Sequence, residues 1–203
     1  HRHGDHTDGL RHLLRVNPRV PIYVPSDEYF GGVTPPAFFR PDTTLPAAMR
    51  YFGGQPPPVV PHGTPWKGAR FVRVDAAREV APGVRLVRNV SPTREFAETP
   101  ELSLVLDTPE GALVVVGCSH PGIETILASV GARERPVRLL VGGLHLVTAP
   151  DTQVERLALA LRDDWRLGAV APGHCTGERA FATLRRVFGM RSRYAGVGSV
   201  LTP

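Results

Sequence analysis

Apolar and polar positions divide this chain into a short ordered start, a long stretch without periodicity, and a regular remainder. Residues 8–16 place Leu10, Leu13 and Leu14 at helical spacing, and 20–24 read as a strand. From about residue 25 to 66 the pattern dissolves. Pro35-Pro36, Pro56-Pro57-Pro58, Gly31-Gly32 and Gly53-Gly54 forbid long regular elements there. Tyr29, Phe30, Phe38, Phe39, Tyr51, Phe52 and Trp66 are spread through the stretch, and so many aromatics argue against disorder. It reads either as a lid or insertion covering a pocket, or as packing filler.

Beyond Gly68 the chain becomes strand-like. Phe71, Val72 and Val74 make one run, and 84–90 alternate apolar residues with Arg or Asn. Residues 102–106 and 113–116 read as a hairpin about the turn Asp107-Thr108-Pro109-Glu110-Gly111. A strand, a glycine-rich turn bearing a histidine, and a helix then follow one another three times. Residues 113–116 run into Gly117-Cys118-Ser119-His120-Pro121-Gly122, ahead of a helix over 123–130. Residues 137–141 run into Gly142-Gly143-Leu144-His145, ahead of a helix from about 148 to 167 with a capping-box-like Thr148/Asp151 pair. Residues 169–171 run into Pro172-Gly173-His174-Cys175-Thr176-Gly177, ahead of a helix through Leu184 and Val187. Polar groups on loops at strand ends are the usual position of functional residues.

Composition narrows the class without deciding the chemistry. With 203 residues, 42% of them hydrophobic and 21% charged, the chain has the make-up of a globular protein with room for a core. No apolar run approaches the roughly 20 residues needed to cross a bilayer, so no membrane partner is expected. The net charge of +5 comes almost wholly from dispersed arginines, Lys67 being the one lysine. Without a basic block interleaved with aromatics, nucleic acid is not the expected partner. Small anionic substrates, or simply solvated arginine-rich surfaces, suit the charge. Cys118 and Cys175 are too few for a disulfide framework and read as small buried apolar residues.

The chemistry concentrates at the start of the chain, in His1-Arg2-His3-Gly4-Asp5-His6. Imidazoles and a carboxylate at this spacing suit borderline divalent metals such as zinc. On an extended turn, His1 and His3 face one way and Asp5 and His6 face a neighbouring position, so one string can serve two adjacent metal sites. A surface histidine run or a tag remnant is the plain alternative, although tags repeat histidine and do not interpose Asp. A free amine at His1 with His3 would suit square-planar copper or nickel, but that leaves His120 and His174 unexplained. Of the eight histidines, only His12, on a helix surface, and His62, in the insertion, fall outside the glycine-flanked pattern.

The H-x-H-x-D-H string, followed by histidines on successive strand-end loops, resembles the metallo-β-lactamase-fold superfamily. Gly117–Gly122, Gly142–Leu146, Pro172–Gly177, the closing Gly196-Val197-Gly198 and Glu101-Leu102-Ser103-Leu104-Val105 resemble one branch of it, the 7,8-dihydropterin-6-yl-methyl-4-(β-D-ribofuranosyl)aminobenzene 5'-phosphate synthases. The resemblance implies an α/β fold, an αββα sandwich, formed by residues 1–203 as one domain with the 25–66 insertion. It also implies strands ahead of His1, and so a domain incomplete at its N-terminus.

The resemblance further implies two divalent metal ions, zinc foremost, with manganese or iron as alternatives. His1, His3 and His120 would hold one, and Asp5, His6 and His174 the other, with a hydroxide between them that Asp5 orients. Where the superfamily places a bridging aspartate this chain has His145, which either leaves the second site weaker or faces the leaving group. Arg191 and Arg193 are candidates to bind a substrate phosphate, with a plain surface role as the alternative. The expected function is a hydrolase-like attack of metal-bound hydroxide on an ester or phosphoester, or a synthase-like step on a dihydropterin diphosphate. The alternatives are a non-catalytic module with one metal and nuclease-like processing of nucleic acid. The expected location is cytoplasmic.

Overall fold

The computed structural model describes residues 1–27, 30, 33–34, 42–55, 60–61, 66, 68–91 and 98–202. They form two compact units, 1–73 with 92–100, and 74–91 with 101–203.

The first unit begins with a helix the sequence does not announce, α1 (Gly4–Thr7), followed by α2 (Leu10–Val16), which lies within the helix expected over 8–16. The break is at Gly9, the weakest helix former of the stretch. Strand β1 (Pro21–Pro25) follows, then the two-residue strands β2 (Val33–Thr34) and β3 (Val60–Pro61), which pair antiparallel, then β4 (Arg70–Val74), which pairs with β1. The small core here is Val24, Phe30 and Trp66, packed against Leu10, Leu14, Ile22, Ala69 and Phe71. Phe30, Trp66 and Phe71 form an aromatic triangle with ring centroids 5.4–6.1 Å apart. Two of the insertion's aromatics are therefore packing residues. Tyr29, Phe38, Phe39 and His62, and the side chains of Tyr51 and Phe52, lie outside the described residues.

The second unit is built on a six-stranded sheet. Its strands are β5 (Arg78–Ala81), β6 (Val84–Val90), β7 (Pro100–Thr108), β8 (Gly111–Val116), β9 (Val137–Gly143) and β10 (Ala169–Gly173), in the order β10-β9-β8-β7-β6-β5. Strand β5 is absent from the sequence reading. Arg78-Glu79-Val80-Ala81 has no apolar alternation because it is an edge strand, exposed along most of its length.

The hairpin of β7 and β8 is antiparallel, while β8–β9 and β9–β10 are parallel. Parallel neighbours need crossovers. These are α3 (Ile123–Ser129) and α4 (Asp151–Asp163), and α5 (Glu178–Phe188) follows β10. Helix α4 starts at Asp151 behind Pro150, with no side-chain cap. The expected Thr148/Asp151 box does not form, and Asp151 instead pairs with Arg179. The core includes Val105, Val114, Ile126, Leu127, Leu161 and Leu184, none of them measurably exposed. Burying side chains of this size contributes roughly 1.5–3 kcal/mol each. Among the described residues no helix is long and apolar enough to cross a membrane.

The parallel arrangement has a direct consequence. Strands β8, β9 and β10 end at one edge of the sheet, so the loops carrying His120, His145 and His174 emerge side by side.

Candidate metal centre

The candidate ligands are divided between the units. In the first, the string is not an extended turn. His3 is the residue before α1, and Gly4 to Thr7 are helical. The coil draws the imidazoles together. The His1 ring lies 4.6 Å from that of His3 and 4.1 Å from that of His6, centroid to centroid. Asp5 Oδ2 is 3.6 Å from His6 Nε2. Sequence reasoning overlooked what holds this string. Arg2, between the first two histidines, donates to Asp27 Oδ2 at 2.6 Å, to the Glu98 carbonyl at 3.0 Å and to Thr99 Oγ1 at 3.3 Å. Thr7 Oγ1 closes the turn on the His3 carbonyl at 3.1 Å.

In the second unit, the three loops are shaped by unusual backbone and by one buried carboxylate. Only four described non-glycine residues have positive φ, and three are Ser119 (64°), His145 (51°) and His174 (51°). The turns expected of the neighbouring glycines are thus made partly by the histidines themselves. That conformation costs roughly 1–2 kcal/mol for a residue with a Cβ and gathers at functional sites. The glycines have a different duty, close approach. A Cβ at Gly142 would stand 2.0 Å from the Val116 carbonyl oxygen, and one at Gly143 2.6 Å from that of Gly117.

Glu101, 1% exposed, sits under the first loop. Its Oε1 accepts the backbone N–H of Cys118 at 2.9 Å and of Ser119 at 2.8 Å, and its Oε2 that of His120 at 3.0 Å. Three amides converging on one carboxylate fix the path of the chain through His120. Ser119 Oγ donates to the Gly143 carbonyl at 2.7 Å, tying this loop to the next. Thr176 Oγ1 accepts from Leu144 N at 3.1 Å, and the Cys175 carbonyl accepts from Leu146 N at 3.2 Å.

The stitched loops bring the His120 and His145 rings to 4.3 Å. They also assemble Cys118, His145 and Cys175, whose ligand atoms all lie within 4.8 Å of one another, and put Cys118 Sγ equally near a ligand atom of His174. Cys118 is buried, as expected, but Cys175 is not an inert apolar residue. Its thiol is pulled down to about 6, first by a hydrogen bond with Cys118 and then by His145, against the opposing effect of burial. Arg191 and Arg193 follow α5 and are exposed. Arg191 Nη1 donates to the Leu167 carbonyl at 3.2 Å, its guanidinium 5.4 Å from the Phe188 ring centroid, and Arg193 N donates to the Val170 carbonyl at 2.8 Å. A cavity of about 340 Å³ between the loops after β9 and β10 is lined by Leu146, Thr148, Gly177 and Arg179, and by none of the candidate ligands.

The donor set fits a borderline divalent metal: imidazoles clustered with a carboxylate in one unit, imidazoles clustered with thiols in the other.

Comparison with known proteins agrees with this reading. No family model matches the chain. It is 27% identical over 197 residues to the 7,8-dihydropterin-6-methyl-4-(β-D-ribofuranosyl)-aminobenzene-5'-phosphate synthase of Methanocaldococcus jannaschii, a match covering 89% of this chain and 65% of that protein. The chain thus spans about two-thirds of that relative's length. Among solved structures, a metal-dependent hydrolase of the β-lactamase superfamily superposes with a TM-score of 0.52 and 26% identity, over 68% of this chain and 62% of that one. The architecture of this chain is that of the metallo-β-lactamase-like α/β fold, and the curated relative comes from the branch that its loop motifs resemble.

Proposed function

We propose that this chain carries the metal-binding core of a hydrolase-like enzyme acting on a small anionic ester or phosphoester. The observation that carries this reading is the edge of the sheet, where three consecutive strand-end loops present His120, His145 and His174, two of them held at positive φ. The resemblance assigns His1, His3 and His120 to one ion, and Asp5, His6 and His174 to a second. Zinc-class ions held there would lower the pKa of a water towards ~7 and so make a nucleophile available at neutral pH.

The chain's own groups then have separate tasks. Asp5, as one of the ligands, would orient the attacking hydroxide. Glu101 holds the His120 loop in place through its three amide contacts. His145, beside His120, either faces the leaving group or serves as a ligand. Arg191 and Arg193 have guanidinium donors left over for a substrate phosphate.

The curated relative is a pterin-pathway synthase, which supports a second reading, displacement at a dihydropterin diphosphate. The test of both is a panel of phosphodiesters, lactones and a dihydropterin diphosphate, assayed before and after chelation. The reading predicts turnover of one class that chelator abolishes and zinc or manganese restores. Turnover that survives complete removal of metal would overturn it.

A further inference from the structure

The loop cluster contains two thiols that neither proposed histidine–aspartate set uses. Cys118, His145 and Cys175 follow β8, β9 and β10 in turn, so all three belong to one unit and need nothing from the N-terminal string. Their ligand atoms lie within 4.8 Å of one another. Around a tetrahedral zinc, with sulfur at about 2.3 Å and nitrogen at about 2.0–2.1 Å, neighbouring ligand atoms stand roughly 3.3–3.8 Å apart. The trio has at most roughly 1–1.5 Å to close.

The backbone is fitted to the thiols. A Cβ on Gly143 would stand 2.7 Å from Cys175 Sγ, so the glycine leaves room for that sulfur. Cys118 is held from beneath by its amide on Glu101, and Cys175 by its carbonyl, which accepts from Leu146 and Val147. Neither cysteine is tied up in a disulfide. His145 is held at positive φ between them in the chain order.

We propose that Cys118, Cys175 and His145 form a thiolate–imidazole metal site that selects zinc-class or softer ions over magnesium and manganese. Soft sulfur ligands favour such ions, and hard oxygen-seeking cations gain little from them. On binding, each thiol that becomes a ligand releases its proton to solvent while His145 binds through a neutral ring nitrogen. His145 is then a ligand and has no part at the leaving group. Cys118 Sγ also lies within 4.8 Å of a ligand atom of His174, so an ion here borders the proposed catalytic centre. The inference shares those loops but does not require that centre to be catalytic.

The test is a titration of the metal-free protein with cobalt(II) alone, in a non-thiol reductant, following near-ultraviolet thiolate-to-cobalt absorption. The chain has only two cysteines, so any such absorption comes from them. The expected result is absorption in the native protein, reduced by about half in Cys118→Ser and in Cys175→Ser and lost in the double variant. It should persist in His3→Ala, which belongs to the other ligand set. His145→Asn, which tolerates positive φ, should weaken cobalt binding ~10-fold or more. A readout on the native protein guards against misfolded variants: bound zinc should slow thiol modification at least ~10-fold. Cobalt binding without thiolate absorption, or thiols that react equally fast with zinc, would overturn the proposal. Thiolate absorption in a protein inactive on every substrate would leave this site standing and remove the hydrolase reading.

Discussion

Replacing Glu101 tests whether one buried carboxylate organises the His120 loop. Its two oxygens accept three backbone N–H groups at 2.8–3.0 Å and the residue is 1% exposed. A hydrogen bond to a charged partner is worth about 1.5–3 kcal/mol net, and a buried donor left without one costs about 1–3 kcal/mol. Glu101→Gln keeps the shape but sets an amide N–H₂ against a backbone N–H, so about 2–4 kcal/mol should be lost. Glu101→Ala removes all three acceptors, though the loop regains some by shifting or admitting water, and about 3–5 kcal/mol should be lost. Against a total stability of ~5–15 kcal/mol either change is large. Urea unfolding followed by far-ultraviolet circular dichroism measures it. Chelator must be present throughout, because bound metal adds its own stabilisation. Either variant within ~0.5 kcal/mol of the native protein would rule out this role for Glu101.

Other consequences follow from particular contacts. Asp27→Ala removes the carboxylate paired with Arg2 at 2.6 Å and should cost about 3–5 kcal/mol, the figure for breaking a buried pair, with proteolysis newly detectable near the N-terminus. Asp27→Glu should cost less, and cleavage unchanged in Asp27→Ala would count against Arg2 as the anchor. Gly143→Ala should cost about 1–3 kcal/mol and speed Cys175 modification, since its Cβ would crowd both Cys175 Sγ and the Gly117 carbonyl; unchanged thiol reactivity would contradict this. Asp107 is held below the usual carboxylate range, first by its hydrogen bond from Arg85 and then by the Arg85 and Arg135 charges, against partial burial. A lowered folded pKa stabilises above the unfolded value of about 3.9, and that contribution is lost as pH falls through the folded value. Asp107→Asn should therefore lose about 0.5–1.5 kcal/mol at pH 7, with the gap closing below pH ~3.9; a gap constant from pH 7 to pH 2 would contradict this.

Much of the sheet was legible because its strands are apolar runs bounded by turns. Residues 113–116 and 137–141 carry their own punctuation, and the histidine after each run marks the functional edge. What stayed hidden has physical causes. Four residues of α1 are too few for a 3.6-residue period to show. An edge strand such as β5 needs no apolar face. The supports of the site are long-range. Arg2 meets Asp27 and Thr99, and Glu101 meets the amides of 118–120, and no local pattern announces such pairs. Glu101 did carry a signal, a charged residue at the head of a strand with a buried centre, but only the fold shows what it holds. Glycine is the usual holder of positive φ, so glycine-rich turns give no sign that His145 and His174 adopt it themselves.

Metal held at the strand-end loops underlies every function proposed for this chain. Its most direct test is elemental analysis of the purified protein after exhaustive dialysis, beside His120→Ala and His174→Ala. The prediction is at least two zinc-class ions per native chain and a loss of about one ion in each variant. A native protein that retains no metal after incubation with zinc, or variants that retain the full complement, would contradict it.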